Sequence, residues 1–440
     1  MKKNNPFIVG TIVLTATGFA SRIIGFFYRI FLSRTFGEEG MGIYQLIVPV
    51  MALVFSLSVA GIQTSISKFV ASETSTKNYK FSFHILFVGF TISVGISVLC
   101  SLLIYQASDY IAANLIFETR TAPLLRILAL SFPFSTIHSC INGYYFGIRK
   151  TKIPAITQII EQIARVSCVY LLYQISITHH YKLTISCAVI GLVVGEFFSM
   201  TISLVSIYFR FYHVRKSLCL PNKYQLKDNS KKILLLAIPL SANRIVINFL
   251  QSVEAVYIPK RLLLSGLTIS DSLRVYGVLT GMALPLILFP SAITNSVSVL
   301  LLPLVSEAES NHNYGKIQRA VRKSITYCLL LGFLCTAVFF LFGNTLGNYM
   351  FSSPMAGKLI LTLSFICPFL YLTGTLSSIL HGLGKTALTF LFNILGLSLR
   401  LLFVFIFIPI YGITGYLWGL LISLLLVSIL DLIALRKYIV

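Results

Sequence analysis

Long apolar runs separated by short polar breaks dominate this chain. The runs fall at about 7–34, 42–70, 82–106, 122–147, 153–177, 183–211, 232–258, 273–305, 320–342, 358–382, 386–410 and 414–435. Each is close to or above the roughly 20 residues an α-helix needs to cross a bilayer. The pattern therefore predicts an all-α polytopic membrane protein with about twelve transmembrane helices. The run 42–70 holds Pro49 and Gly61, and the long run 273–305 holds Gly281, Pro285, Pro290 and Pro303. Bent or broken helices are expected there, because irregular backbone at membrane depth persists where protein covers it or water reaches it.

The halves repeat. Pro133-Phe134 aligns with Pro368-Phe369, and without a gap Leu124 then meets Leu359, Gly147 meets Gly382, Lys150-Thr151 meets Lys385-Thr386, and Arg165 meets Arg400. An even number of spans separates the copies, so both run the same way through the membrane, as in parallel-repeat transporters. The expected organisation is an N-terminal six-helix lobe over 1–211, a basic cytoplasmic linker over 212–231, and a C-terminal six-helix lobe over 232–440, with a central cavity between the lobes.

Composition agrees. Hydrophobic residues make up 56% of the 440, charged residues 11%, and mean hydropathy is +0.87, whereas a soluble domain carries about 25% charged residues. Lys and Arg number 35 against 13 Asp and Glu, a net charge of +22. The excess does not indicate nucleic acid, because it sits in short loops. With the N-terminus in the cytoplasm, basic loop residues on that side outnumber those outside by about three to one, and both termini are cytoplasmic. The cysteines are scattered without ligand spacing and read as small packing residues. No Walker A sequence or catalytic triad is present, so the chain reads as neither ATP-driven nor an enzyme.

The informative charges lie inside the spans. Arg22 and Arg29 stand seven apart in the first span, about two turns, on one helix face. An arginine at the membrane centre costs at least about 2.5 kcal/mol against lipid. Arg22 and Arg29 therefore either snorkel and tie the structure together or face a wet cavity that holds an anion. In span 7, Arg244, Asn248 and Gln251 follow i, i+4, i+7, with Glu254 on the same flank. This polar stripe on an apolar helix either glues helices through an Arg–Glu pair or lines the cleft. Glu161 precedes Arg165 by one turn and can pair with it. Arg400 has no acid near it on its own helix, so it needs a ligand or a cross-helix partner, for which Glu196 and Asp431 are candidates. A protonated Glu196 serving as a proton or cation site is the alternative. His84, His138 and His381 lack ligand spacing and read as packed or interfacial.

Several stretches carry a resemblance. Ser21-Arg22-Ile23-Ile24-Gly25-Phe26, Gly37-Glu38-Glu39-Gly40-Met41-Gly42, Ala242-Asn243-Arg244, Gln251-Ser252-Val253-Glu254, and the run from Gly281 to Ser296 through Leu302-Pro303 and Ser306-Glu307-Ala308 resemble the stage V sporulation protein B family. That family stands with polysaccharide-unit and lipid II flippases, in one superfamily with multidrug and toxin exporters. The resemblance implies two six-helix lobes around a cationic cavity, in the bacterial cytoplasmic membrane. It implies that an undecaprenyl-diphosphate-linked glycan is flipped to the outer leaflet, with envelope-synthesis enzymes as possible partners. Arg22 matches the cavity arginine of the lipid II flippases, whose next arginine falls at Tyr28 here, one place before Arg29. With the reading of the charges within the spans, the expected substrate-binding set is Arg22, Arg29, Arg244, Asn248, Gln251, Glu254 and Arg400, with Glu161, Arg165 and Glu196 as a cavity ion pair. No cofactor or metal is implied; membrane potential, Na+ or H+ would drive the cycle. A cation-coupled multidrug exporter and a non-transporting membrane scaffold are the competing readings.

Overall fold

The computed structural model describes residues 6–74, 79–181, 183–212 and 222–439. Among the described residues the secondary structure is helical, with no strand. The helices are α1 (Pro6–Phe55), α2 (Gly61–Thr74), α3 (Tyr79–Gln106), α4 (Ser108–Tyr110), α5 (Ala122–Ala129), α6 (Ser131–Gly147), α7 (Lys152–His179), α8 (Ser186–Tyr212) and α9 (Lys223–Leu264). They continue with α10 (Ile269–Gly277), α11 (Leu284–Leu288), α12 (Ser291–Ser310), α13 (Tyr314–Phe351), α14 (Pro354–Leu363), α15 (Cys367–Gly382), α16 (Thr386–Ile406), α17 (Ile408–Tyr411) and α18 (Ile413–Ile439). Among the described residues, eleven helical segments are long and apolar enough to cross a membrane, and twelve if the bent pair 119–129 and 131–147 is one span. Helix is the form that satisfies every backbone group without water, so apolar runs of this length adopt it.

Three of the expected runs come out differently. The runs at 7–34 and 42–70 are joined into one helical stretch, in which only Gly37 departs from helical geometry (φ 70°, ψ −173°). Glycine adopts that backbone without a Cβ penalty, so the chain turns there with almost no loop. The run at 273–305 is instead divided at Phe289-Pro290 into two helical segments. The proline-bearing regions also hold the π-helical turns Ser56–Ala60 and Val278–Ala283. The basic stretch before span 7 is partly helical, since α9 already starts at Lys223; residues 213–221 lie outside the described residues.

The chain forms two compact units. The first contains residues 1–28 and 46–249, the second 29–45 and 250–440. In the first, Val59, Ile62, Ile66, Ile85, Cys140 and Tyr144 anchor an apolar core that also takes in Ile233 and Ala237 of α9. There Gly61 meets α9 so closely that a Cβ would stand 2.3 Å from the Ala237 carbonyl oxygen, and Gly61 N–H donates to Ser241 Oγ at 3.2 Å. In the second unit the core is Leu301, Val305, Cys328, Leu372, Leu376 and Ile379. Segment 29–45 belongs to it through a glycine crossing: a Cβ on Gly277 would lie 2.4 Å from Gly42 N. The internal repeat extends to packing. α7 lies on α8 and α3 on α6 in one unit, as α16 lies on α18 and α13 on α15 in the other.

Candidate functional site

The six arginines within the spans divide by their partners. Arg126 Nη2 lies 2.5 Å from Asp109 Oδ2, Arg165 Nη2 lies 2.5 Å from Glu161 Oε1, and Arg400 Nη2 lies 2.6 Å from Glu254 Oε2. Arg22 on α1 and Arg244 on α9, both in the first unit, are exposed and carry no hydrogen bond or ion pair to a described residue. Arg29 is half-buried and belongs to the second unit. The guanidinium groups of Arg22 and Arg244, without an acid among the described residues, suit a ligand that brings its own negative charge.

The rest of the polar stripe on α9 is put to different uses. Asn248 Nδ2 donates to Ser56 Oγ at 2.5 Å and to the Ala52 carbonyl at 3.2 Å. It thereby ties α9 to the π-helical turn, where the widened ladder makes backbone acceptors available. Gln251 is exposed and has no hydrogen-bond partner among the described residues. Glu254 is buried and lies in the second unit. Its Oε1 accepts from Tyr416 Oη at 2.8 Å and stands 2.5 Å from Arg400 Nε, while Oε2 takes Arg400 Nη2. The cross-helix acid that Arg400 requires is therefore Glu254, not Glu196 or Asp431. Glu196 lies in the other unit, and Asp431 accepts from Ser377 Oγ at 3.1 Å. The hydrogen bond from Nη2 and the close charge contact at Nε balance both charges within the protein.

A second polar cluster forms in the first unit, from α6, α7 and α8. Gly191 and Gly195 on α8 lie against the α7 backbone. A Cβ on Gly195 would stand 2.8 Å from the Glu161 carbonyl oxygen, and one on Gly191 would stand 3.0 Å from that of Arg165. This approach brings Glu196 beside the Glu161–Arg165 pair. From α6, His138 Nδ1 reaches to 3.9 Å of Glu196 Oε2. The donor atoms of His138, Glu161 and Glu196 all lie within 4.8 Å of one another. Sequence reasoning passed over His138, since ligands drawn from three helices leave no spacing to read. Tyr416 likewise gave no signal, being one apolar-looking residue in an apolar helix.

A sequence profile of the family described as "Polysaccharide biosynthesis protein" matches residues 7–309, more than half of the chain. The chain belongs to that family. Along 435 residues it is 26% identical to stage V sporulation protein B of Bacillus subtilis (strain 168), covering 98% of this chain and 84% of that one. It is 19% identical to the lipid II flippase MurJ of the same organism, over 90% of this chain and 76% of that one. In fold it is similar to an inward-facing multidrug resistance MATE family transporter of the MOP superfamily. That match has a TM-score of 0.73 and 14% identity, over 95% of this chain and 94% of the other. A MOP superfamily transporter from Pyrococcus furiosus, described as having a binding pocket of reverse polarity, matches with a TM-score of 0.68 at 14% identity, over 99% and 96%. This member of the polysaccharide biosynthesis family is thus a multi-pass membrane protein with a transporter fold.

Proposed function

We propose that this chain moves an undecaprenyl-diphosphate-linked saccharide, lipid II or a polysaccharide repeat unit, from the inner to the outer leaflet of the bacterial cytoplasmic membrane. The carrying observation is the contrast among intramembrane arginines. Arg126, Arg165 and Arg400 each hold an acid, while Arg22 and Arg244 hold none among the described residues. A diphosphate offers several anionic oxygens, and the guanidinium fork meets them bidentately. In this reading Arg22 and Arg244 of the first unit carry the headgroup. The Arg400–Glu254 pair holds its helices in place. Membership of the polysaccharide biosynthesis family and similarity to a lipid II flippase support this substrate class.

No bond is made or broken, so the protein acts by alternating access and not as an enzyme. The basic loops put both termini in the cytoplasm. A multidrug exporter of the same fold would handle organic cations, which two bare arginines repel.

The test uses proteoliposomes loaded with a labelled undecaprenyl-diphosphate glycan and reads its appearance on the far leaflet. Wild type and Lys152→Ala, a substitution at an exposed helix start, transport alike. Arg22→Ala and Arg244→Ala lose at least about tenfold, the order of one charge-assisted contact. If all three variants behave alike, the reading fails.

A further inference from the structure

The first unit carries an apolar groove that the proposed glycan site does not use. It lies between α3 and α8, with Phe87 and Phe90 of α3, Leu204 and Phe211 of α8, and Ile141 of α6 in its lining. The lining is made of Phe, Leu, Ile and Tyr alone, and the volume is about 580 Å³, the size of a small-ligand pocket. At one end the two helices meet through the rings of Phe83 and Phe211, whose centroids are 5.2 Å apart and nearly perpendicular. A groove without a polar partner in its walls takes hydrocarbon and not a water-soluble ligand.

Its length places it. The groove runs from Phe83 to Phe90 along α3 and from Leu204 to Tyr212 along α8, about 10–12 Å at the rise of an α-helix. That is less than half of the roughly 30 Å hydrocarbon core, so the groove is one leaflet deep. Phe83 lies in the first turn of the apolar segment 81–106, and Tyr212 ends the segment 186–212. The groove therefore sits at one membrane face and not at the bilayer centre.

That face is basic. From the last two turns of α6 through the first two of α7, and over the last two turns of α8, the charged residues are Arg149, Lys150, Lys152 and Arg210, with no acid. Arg210 is half-buried and stands between the lining residues Tyr208 and Phe211 in sequence. It follows Ser206 by one turn, and Ser206 Oγ lies 2.6 Å from Tyr145 Oη of α6. An arginine at such a boundary keeps its stem among apolar groups and its charge at the surface. Basic sites between helices at the cytoplasmic face take anionic lipid headgroups, and the same charge excess assigns this face to the cytoplasm. An acyl chain of that leaflet matches the groove in length, whereas a polyprenyl tail exceeds it several-fold.

We infer that this groove binds one anionic phospholipid of the cytoplasmic leaflet, with an acyl chain between α3 and α8 and its phosphate at Arg210. The inference uses the first unit alone and does not depend on which glycan is moved.

The test uses the full chain purified in detergent, stripped of lipid, and titrated with phosphatidylglycerol or phosphatidylcholine of matched acyl chains. Native mass spectrometry counts the lipid retained, and the thermal unfolding midpoint reports its effect. One phosphatidylglycerol per chain binds saturably, at least about tenfold tighter than phosphatidylcholine, and raises the midpoint. Arg210→Gln loses the preference, and Arg210→Lys keeps it. Leu204→Trp fills the groove and weakens phosphatidylglycerol binding at least about tenfold. Leu330→Trp, at an exposed position of the second unit, binds as wild type does. Equal retention of the two lipids by the wild type overturns the site and requires no variant. Binding unchanged in either Arg210→Gln or Leu204→Trp also overturns it. So does displacement of phosphatidylglycerol by equimolar undecaprenyl phosphate, which would make the groove part of the path of the carried lipid. Intact phosphatidylglycerol binding with failed glycan transport would count against the flippase reading alone.

Discussion

Arg400 and Glu254 stand 146 residues apart in sequence and form a buried ion pair, with Nη2 donating to Oε2 at 2.6 Å, Nε 2.5 Å from Oε1, and Tyr416 closing the carboxylate. The pair joins α9 to α16 inside the second unit. Its burial sets the cost of breaking it. Glu254→Gln leaves a guanidinium enclosed without an opposite charge, and we expect a loss of about 3 kcal/mol. The double variant Glu254→Gln, Arg400→Met should lose clearly less than the sum of its singles. Thermal unfolding of the four proteins in detergent measures this coupling.

Asp109 and Arg126 form an ion pair of the opposite kind, since both side chains are largely exposed. Asp109→Asn should change stability by less than about 1 kcal/mol. A loss comparable to that of Glu254→Gln would show that exposure is a poor guide to these pairs.

Gly277 and Gly42 let two helices touch through their backbones. A Cβ on Gly277 would stand 2.2 Å from the Glu38 carbonyl oxygen, so Gly277→Val must push the helices apart. Overpacking of this kind costs about 1–3 kcal/mol, and most of the monodisperse protein should disappear from size-exclusion profiles. Gly18→Ala, where a Cβ meets nothing within 4 Å, should leave the profile unchanged.

Arg22 and Arg244 differ from the paired arginines in what they should do for transport. Arg22→Lys keeps the charge and loses the planar fork. Glycan flipping should fall to a level between wild type and Arg22→Ala, with no change in unfolding midpoint. A lysine variant equal to wild type would reduce the role of Arg22 to charge alone.

The features open to sequence reading were those that helix geometry alone dictates. The membrane length of the apolar runs and the one-turn spacing of Glu161 and Arg165 follow from a fixed rise and pitch, and the ungapped match of Pro133 with Pro368 and of Arg165 with Arg400 is read directly from residue order. The sharp turn at Gly37 was less visible, because it uses a single residue where a loop was expected.

Contacts between helices lay beyond such reading. Sequence alone determined which segments cross the membrane, that the halves repeat, and that arginines sit within the spans. Only the tertiary structure decided that Arg400 belongs to Glu254, that residues 29–45 pack with the second unit, and that His138 faces Glu196. The physical reason is that periodicity places a side chain on a face of its own helix. The depth and rotation at which two helices lock depend on where small residues such as Gly61, Gly195 and Gly277 permit backbone contact, and those meeting points are a property of the packed ensemble of helices.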